Sequence, residues 1–141
     1  MELQFFYEDT DFTLSHKPML KQWIKETILL EKFLPGVINF IFTSDPYLLN
    51  INRQYLSHNY YTDIITFNYC LDTTLNGDIF ISIDTVQNNS IRFDVSFEEE
   101  LFRVMIHGVL HLMGYDDQTE EQKKQMRKKE NDYLDRLKKL F

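Results

Sequence analysis

The stretch HGVLHLMGYDD, residues 107 to 117, completes one of the most apolar runs of the chain. From Val104 to Met113 the residues read VMIHGVLHLM, so two histidines four residues apart are the only ionisable side chains in that run. Ser96 with Glu99 three residues on is a capping-box pattern, and Gly114 suits the C′ position, so the spacing predicts a helix over about 97 to 113. On such a helix positions 107 and 111 lie one turn apart on the same face.

Working outward from this helix, the chain alternates short strand-like and longer helix-like segments. LQFFYE (3 to 8) reads as a first strand. Between Lys17 and Phe33, Leu20, Trp23, Ile24, Ile28 and Leu29 recur at helical spacing, with Pro35-Gly36 as the expected stop. VINFIFTS (37 to 44), rich in β-branched and aromatic residues, reads as a second strand. Ser44-Asp45-Pro46 then opens a helix to about Leu56. TDIITFNYC (62 to 70) and GDIFISID (77 to 84) form an antiparallel hairpin through the loop LDTTLN, followed by a short helix near 84 to 90. Downstream, Thr119 with Gln122 repeats the capping pattern and begins a last, highly charged helix. The expected fold class is α+β, a small mixed β-sheet packed with helices, as a single domain over residues 1 to 141.

Composition limits the possible roles. With 43% hydrophobic and 26% charged residues, the chain is globular rather than disordered or fibrous. Its single cysteine, Cys70, cannot form an intrachain disulfide, and MELQFFYEDTDF has neither the basic start nor the apolar stretch of a signal peptide. A reducing cytoplasm is the expected location. No run approaches the ~20 apolar residues of a membrane helix, so no membrane partner is expected. A net charge of -7 argues against a nucleic-acid partner, but Lys123, Lys124, Arg127, Lys128, Lys129, Arg136, Lys138 and Lys139 concentrate near the C-terminus and leave room for a local basic patch.

Two imidazoles on an apolar helix need polar partners, because a buried unpaired polar group costs on the order of 1–3 kcal/mol. Either backbone carbonyls satisfy them as core histidines, or a divalent ion does. Gly114 lets the chain turn back, and Asp117 then supplies a third ligand in the pattern H-x-x-x-H-x-x-G-x-x-D, with Asp116 as the competing carboxylate. Zinc accepts this donor set, and three protein ligands leave a fourth position for water, the arrangement of a hydrolytic site. Metzincin proteases share the spacing, but their general-base glutamate falls here on Gly108, which cannot accept a proton. A zincin-like metalloprotease is therefore the less favoured alternative.

The motif as a whole resembles the signature HGxLHLxGYDH of the YbeY family of bacterial rRNA-maturation endoribonucleases. Two further segments match in order: TDIITF (62 to 67) and GDIFIS (77 to 82). The resemblance implies a metal-dependent endoribonuclease, zinc being the implied cofactor, that cuts single-stranded RNA in 16S rRNA 3′-end maturation and small-subunit quality control. Small ribosomal subunit proteins or assembly factors are the implied further partners. His107 and His111 carry over as ligands, and the third family histidine falls on Asp117. That substitution introduces a harder donor and shifts metal preference toward ions that favour oxygen. Many members also carry an arginine where Leu56 stands, for the RNA phosphate. Arg53, as a substrate-binding residue, and His58, as a proton-transfer residue, are the nearest substitutes. Without the arginine, an RNA-binding ribosome-assembly factor with a structural metal is the alternative function.

Other residues have plainer readings beside the functional ones. Asp63 and Asp78 open the two matched strands, where carboxylates usually serve turns, lining the site being the alternative. The final helix is chiefly a solvated one with Met126, Tyr133, Leu134 and Leu137 turned inward; alternatively its basic face, diluted by Glu130, Asp132 and Asp135, docks on ribosomal RNA. Asn59-Tyr60-Tyr61 and Tyr115 suit either packing and loop anchoring or stacking on unpaired bases.

Overall fold

The computed structural model describes residues 2–58 and 62–141. Strand β1 (Glu2–Glu8) pairs in parallel with β2 (Leu34–Thr43), and β2 in parallel with β4 (Thr74–Ser82). Strand β3 (Ile64–Asn68) adds an antiparallel edge to β4, giving the order β1-β2-β4-β3. Helix α1 (Lys17–Leu30) joins β1 to β2, and α2 (Asp45–Leu56) follows β2. The chain ends in α3 (Ile83–Arg92), α4 (Phe97–Leu112) and α5 (Glu120–Lys138). This is the expected α+β class with a mixed sheet.

Two boundaries differ from the sequence reading. Helix α1 ends at Leu30 rather than at Pro35-Gly36, because Lys32 takes a left-handed φ of 68° and the Phe33 N–H turns back to the Ile28 carbonyl at 3.1 Å. Pro35 and Gly36 lie instead inside β2, at a register irregularity between Pro35 and Ile38 where proline's missing donor is tolerated. The β3–β4 connection is also tighter than LDTTLN. Thr74 already belongs to β4, and a Leu71–Thr74 bridge closes the turn.

Period-2 alternation along the strands sends Ile38, Phe40 and Phe42 of β2 and Leu75, Ile79 and Ile81 of β4 into one core with Trp23, Ile24 and Ile28 of α1. Helix α4 contributes Leu101, Met105, Ile106 and Val109 to the same core. Each fully buried aliphatic side chain stabilises by roughly 1.5–3 kcal/mol. The Trp23 indole N–H donates to the Tyr133 carbonyl at 2.7 Å, fastening α1 to α5. Helix α4 lies close on the sheet at Gly108, where an added Cβ would meet Ile64 and Ile79 at 2.8 Å. On the opposite face of β3 and β4, Tyr47, Ile51 and Tyr55 of α2 line a pocket with Phe67 and Phe80, and the Tyr55 ring stands 5.8 Å from that of Phe67. The flank of α4 beside the edge strand is thus left for His107 and His111.

Candidate metal centre

The site begins with how α4 starts and stops. The Ser96 hydroxyl accepts the Glu99 N–H at 3.0 Å, and Glu98, Glu99 and Glu100 occupy the positive end of the helix dipole. At the other end the Gly114 N–H donates to the His111 carbonyl at 3.0 Å, and the Tyr115 N–H to the Leu110 carbonyl at 3.1 Å. These two bonds form a Schellman motif, which needs a positive φ at C′; Gly114 supplies 102°. The reversal carries Asp117 back over the helix.

There the Asp117 Oδ2 stands 3.4 Å from His107 Nε2 and 3.6 Å from His111 Nε2, with the two imidazole rings 4.4 Å apart at 83°. The candidate ligand atoms all lie within 4.8 Å of one another, the only such group of His, Cys, Asp and Glu found among the described residues. Ligands about 2.1 Å from a tetrahedral zinc stand roughly 3.4 Å apart, so the spacing and the donor types fit the ion the sequence implies. The three side chains are 20%, 21% and 36% exposed, which leaves the set open on one side.

Behind the ligands lies a buried charged group. Glu130 of α5, 5% exposed, meets His107 Nδ1 with Oε2 at 2.6 Å and takes a hydrogen bond from Arg103 Nη1 on Oε1 at 3.0 Å. Arg103 also donates to Asn131 Oδ1 at 2.9 Å, and Arg127 Nη1 lies 3.7 Å from Glu130 Oε1. A proton on Nδ1 facing Glu130 leaves Nε2 with its lone pair toward Asp117, the tautomer a metal requires. A cavity of about 150 Å³ extends from this group, lined by Asp63, Glu100, Arg103, Val104, His107 and Glu130. Burial works to lower the pKa of His107, but the bond and charge of Glu130, then Asp117 and Asp63, outweigh it and raise it. Burial and the neighbouring His107 hold His111 below its ordinary value, keeping it neutral. Asp63 is pushed up by burial, against the pull of His107. Glu100 is raised by burial and by Asp63.

The returning turn has its own anchor. Tyr115 donates through its hydroxyl to Glu31 Oε1 at 2.5 Å, while Tyr133 and Lys129 both reach Glu31 Oε2, Lys129 at 2.9 Å. Burial pushes the Glu31 carboxyl up, but the bonds from Tyr115, Tyr133 and Lys129 together hold it below its ordinary value. The Tyr115 and Tyr133 hydroxyls are raised by burial and by this carboxylate, and so remain donors. Tyr115 therefore serves as a loop anchor, the plainer of its two readings.

The remaining sequence candidates divide. Asp117, not Asp116, joins the histidines. Asp63 lines the cavity beside His107, whereas Asp78 accepts from Asn39 Nδ2 at 3.0 Å and lines the α2 side of the sheet instead. Gly108 faces Ile64 and Ile79, so the position of a metzincin base is turned onto the sheet. Arg53 lies in the last turn of α2 and His58 just beyond its cap, its N–H on the Asn52 carbonyl at 3.1 Å; both are exposed and neither belongs to the ligand cluster. Asn59, Tyr60 and Tyr61 lie outside the described residues. Glu130, Arg103 and Glu100 join the site without a local motif to mark them. Arg103 sits four residues before His107 on the same helix stripe, and Glu130 falls in the inward register of Met126, Tyr133, Leu134 and Leu137.

Fold and site together define a small α+β protein with a helix-borne site able to hold a metal ion through two histidines and a carboxylate. The family model described as Endoribonuclease YbeY matches residues 5–138. Relatives named Endoribonuclease YbeY include one from Christiangramia forsetii, 47% identical over 94% of this chain and 92% of its own length, and one from Karelsulcia muelleri, 47% identical over 96% of both. The solution structure of TM1509 from Thermotoga maritima superposes with a TM-score of 0.67 at 26% identity, over 96% of this chain and 88% of that one. The chain belongs to the YbeY family of endoribonucleases. Among the described residues no helix is long and apolar enough to cross a membrane.

Proposed function

We propose that this chain is a metal-dependent endoribonuclease that cuts single-stranded RNA in the 3′-end maturation of 16S rRNA, working with the small ribosomal subunit in the cytoplasm. The observation that carries the reading is the three-ligand set of His107, His111 and Asp117, spaced for zinc and open on one side, in a chain of the YbeY family. A structural zinc takes four protein ligands, whereas three with an open position suit catalysis. When bound, the ion supplies Lewis acidity toward a scissile phosphate and makes water a better nucleophile. The chain's own residues do the positioning: Glu130 holds the His107 tautomer, Arg103 holds Glu130, and the Schellman turn at Gly114 presents Asp117. Arg53 and His58, exposed at the end of α2 ahead of Asp63, enter as a phosphate contact and a proton-transfer group. The free thiol of Cys70 suits a reducing compartment.

The test is zinc analysis of purified wild type and His107→Ala/His111→Ala, with RNA and peptide cleavage measured on the same samples. One equivalent of zinc, with RNA cleavage abolished by chelation and by the double substitution, is the expected result. Cleavage of peptides with RNA untouched would refute it in favour of a protease. Leu56, at the position of the family arginine, favours a second reading, an RNA-binding assembly factor with a structural metal. That reading expects chelation to unfold the chain and RNA to be bound but never cut.

A further inference from the structure

The segment QKKQMRKK, residues 122 to 129, holds five cations and no acid, although the chain carries a net charge of -7. Lys129 turns inward to Glu31, but Lys123, Lys124, Arg127 and Lys128 line an open groove of about 510 Å³ along α5. Positions 123 and 127, and 124 and 128, are i,i+4 pairs, so the four cations form one stripe. Arg127 reaches the buried Glu130 at 3.7 Å, and the other acidic contacts are exposed pairs, Lys123 with Glu120 at 3.8 Å and Lys128 with Asp132 at 3.0 Å. Such pairs are weak and exchange readily for a phosphate.

The stripe is continuous with the metal centre. Arg127 shares the Glu130 carboxylate with His107, which meets Glu130 through Nδ1 and Asp117 through Nε2. The cations therefore border the ligand set from behind and are offset from the scissile position. We propose that this face of α5 is the track for the phosphate backbone of single-stranded RNA flanking the cut. The inference rests on the endoribonuclease reading for its substrate. A polyanion approaching an acidic protein is steered to where cations concentrate, and each phosphate neutralised there releases counterions.

The experiment measures binding of a short, fluorescein-labelled 2′-O-methyl oligoribonucleotide, which resists cleavage, across a series of potassium chloride concentrations. Each lost phosphate contact on a single strand lowers the slope of log K against log salt by about 0.7, or roughly fivefold in affinity at ~0.1 M salt. The variant Lys123→Gln/Lys124→Gln/Lys128→Gln is expected to bind on the order of 100-fold more weakly, with the slope reduced by about 2. The control Lys17→Gln/Lys21→Gln/Lys25→Gln, on exposed positions of α1, removes the same charge and leaves the slope unchanged. Equal losses in both variants, or none in the α5 variant, overturn the proposal, as does the absence of salt-dependent binding by the wild type. If the wild type binds through the stripe yet never cuts RNA, the endonuclease reading fails and the track stands; if it cuts RNA with the α5 variant binding normally, the reverse holds.

Discussion

Replacing Glu130 by glutamine isolates the support behind the candidate metal ligands. The side chain is almost fully buried, and one oxygen serves His107 Nδ1 at 2.6 Å while the other serves Arg103 at 3.0 Å. Glutamine preserves the shape but removes the charge, and a charge-assisted hydrogen bond is roughly twice as strong as a neutral one. The loss at His107 is then about 1.4 kcal/mol, or tenfold in zinc affinity; Glu130→Ala, which removes the acceptor altogether, belongs nearer the 100-fold end of the usual range for such supports. The metal-free fold loses about 1–3 kcal/mol, less than a fully buried broken pair, because Arg103 is 20% exposed and keeps its bond to Asn131. Zinc affinity is measured by chelator competition, thermal unfolding is followed on the metal-free protein, and nitrogen chemical shifts of the His107 ring report the tautomer. Loss of stability in Glu130→Gln with zinc affinity and tautomer unchanged would refute the argument, because Glu130 would then be only a structural partner of Arg103.

Two further outcomes follow from the packing. Glu31 has a folded pKa below its ordinary value, so its contribution to stability is complete above the unfolded pKa and lost as pH falls through the folded one. In acid titrations of thermal stability, the advantage of wild type over Glu31→Gln should be present at neutral pH and vanish in that acidic window; an advantage that persists at the acid end contradicts the assignment. Gly108→Ala drives a methyl group to 2.8 Å from Ile64 Cδ1 and Ile79 Cγ2, and should cost about 1–3 kcal/mol in denaturant unfolding. A neutral effect would mean that α4 sits less tightly on the sheet than described.

The candidate ligand set was legible in the sequence because its geometry is local. A helix repeats every 3.6 residues, so HxxxH followed by a glycine and a carboxylate is a spatial statement as much as a linear one. Gly114 takes the positive φ, and Asp117 lies with the two histidines within 4.8 Å. The strand pairing is less local, yet two strand-like segments, TDIITFNYC and GDIFISID, with only a short loop between them point to the antiparallel hairpin that β3 and β4 form. What the sequence hid is held together by long-range contact. Glu130 reaches His107 across 23 positions, and Tyr115 reaches Glu31 across 84. Read along the chain, Glu130 counts as one more acid diluting a basic helix. Its register with Met126, Tyr133, Leu134 and Leu137 carries the opposite message, because a carboxylate in an apolar stripe must find a buried partner. The helix that bears the cations also bears the acid that orients the ligand, so α5 joins substrate attraction and metal geometry in one element. That division of labour predicts that Glu130→Gln weakens zinc binding, whereas the three lysine substitutions weaken RNA binding and leave zinc affinity unchanged.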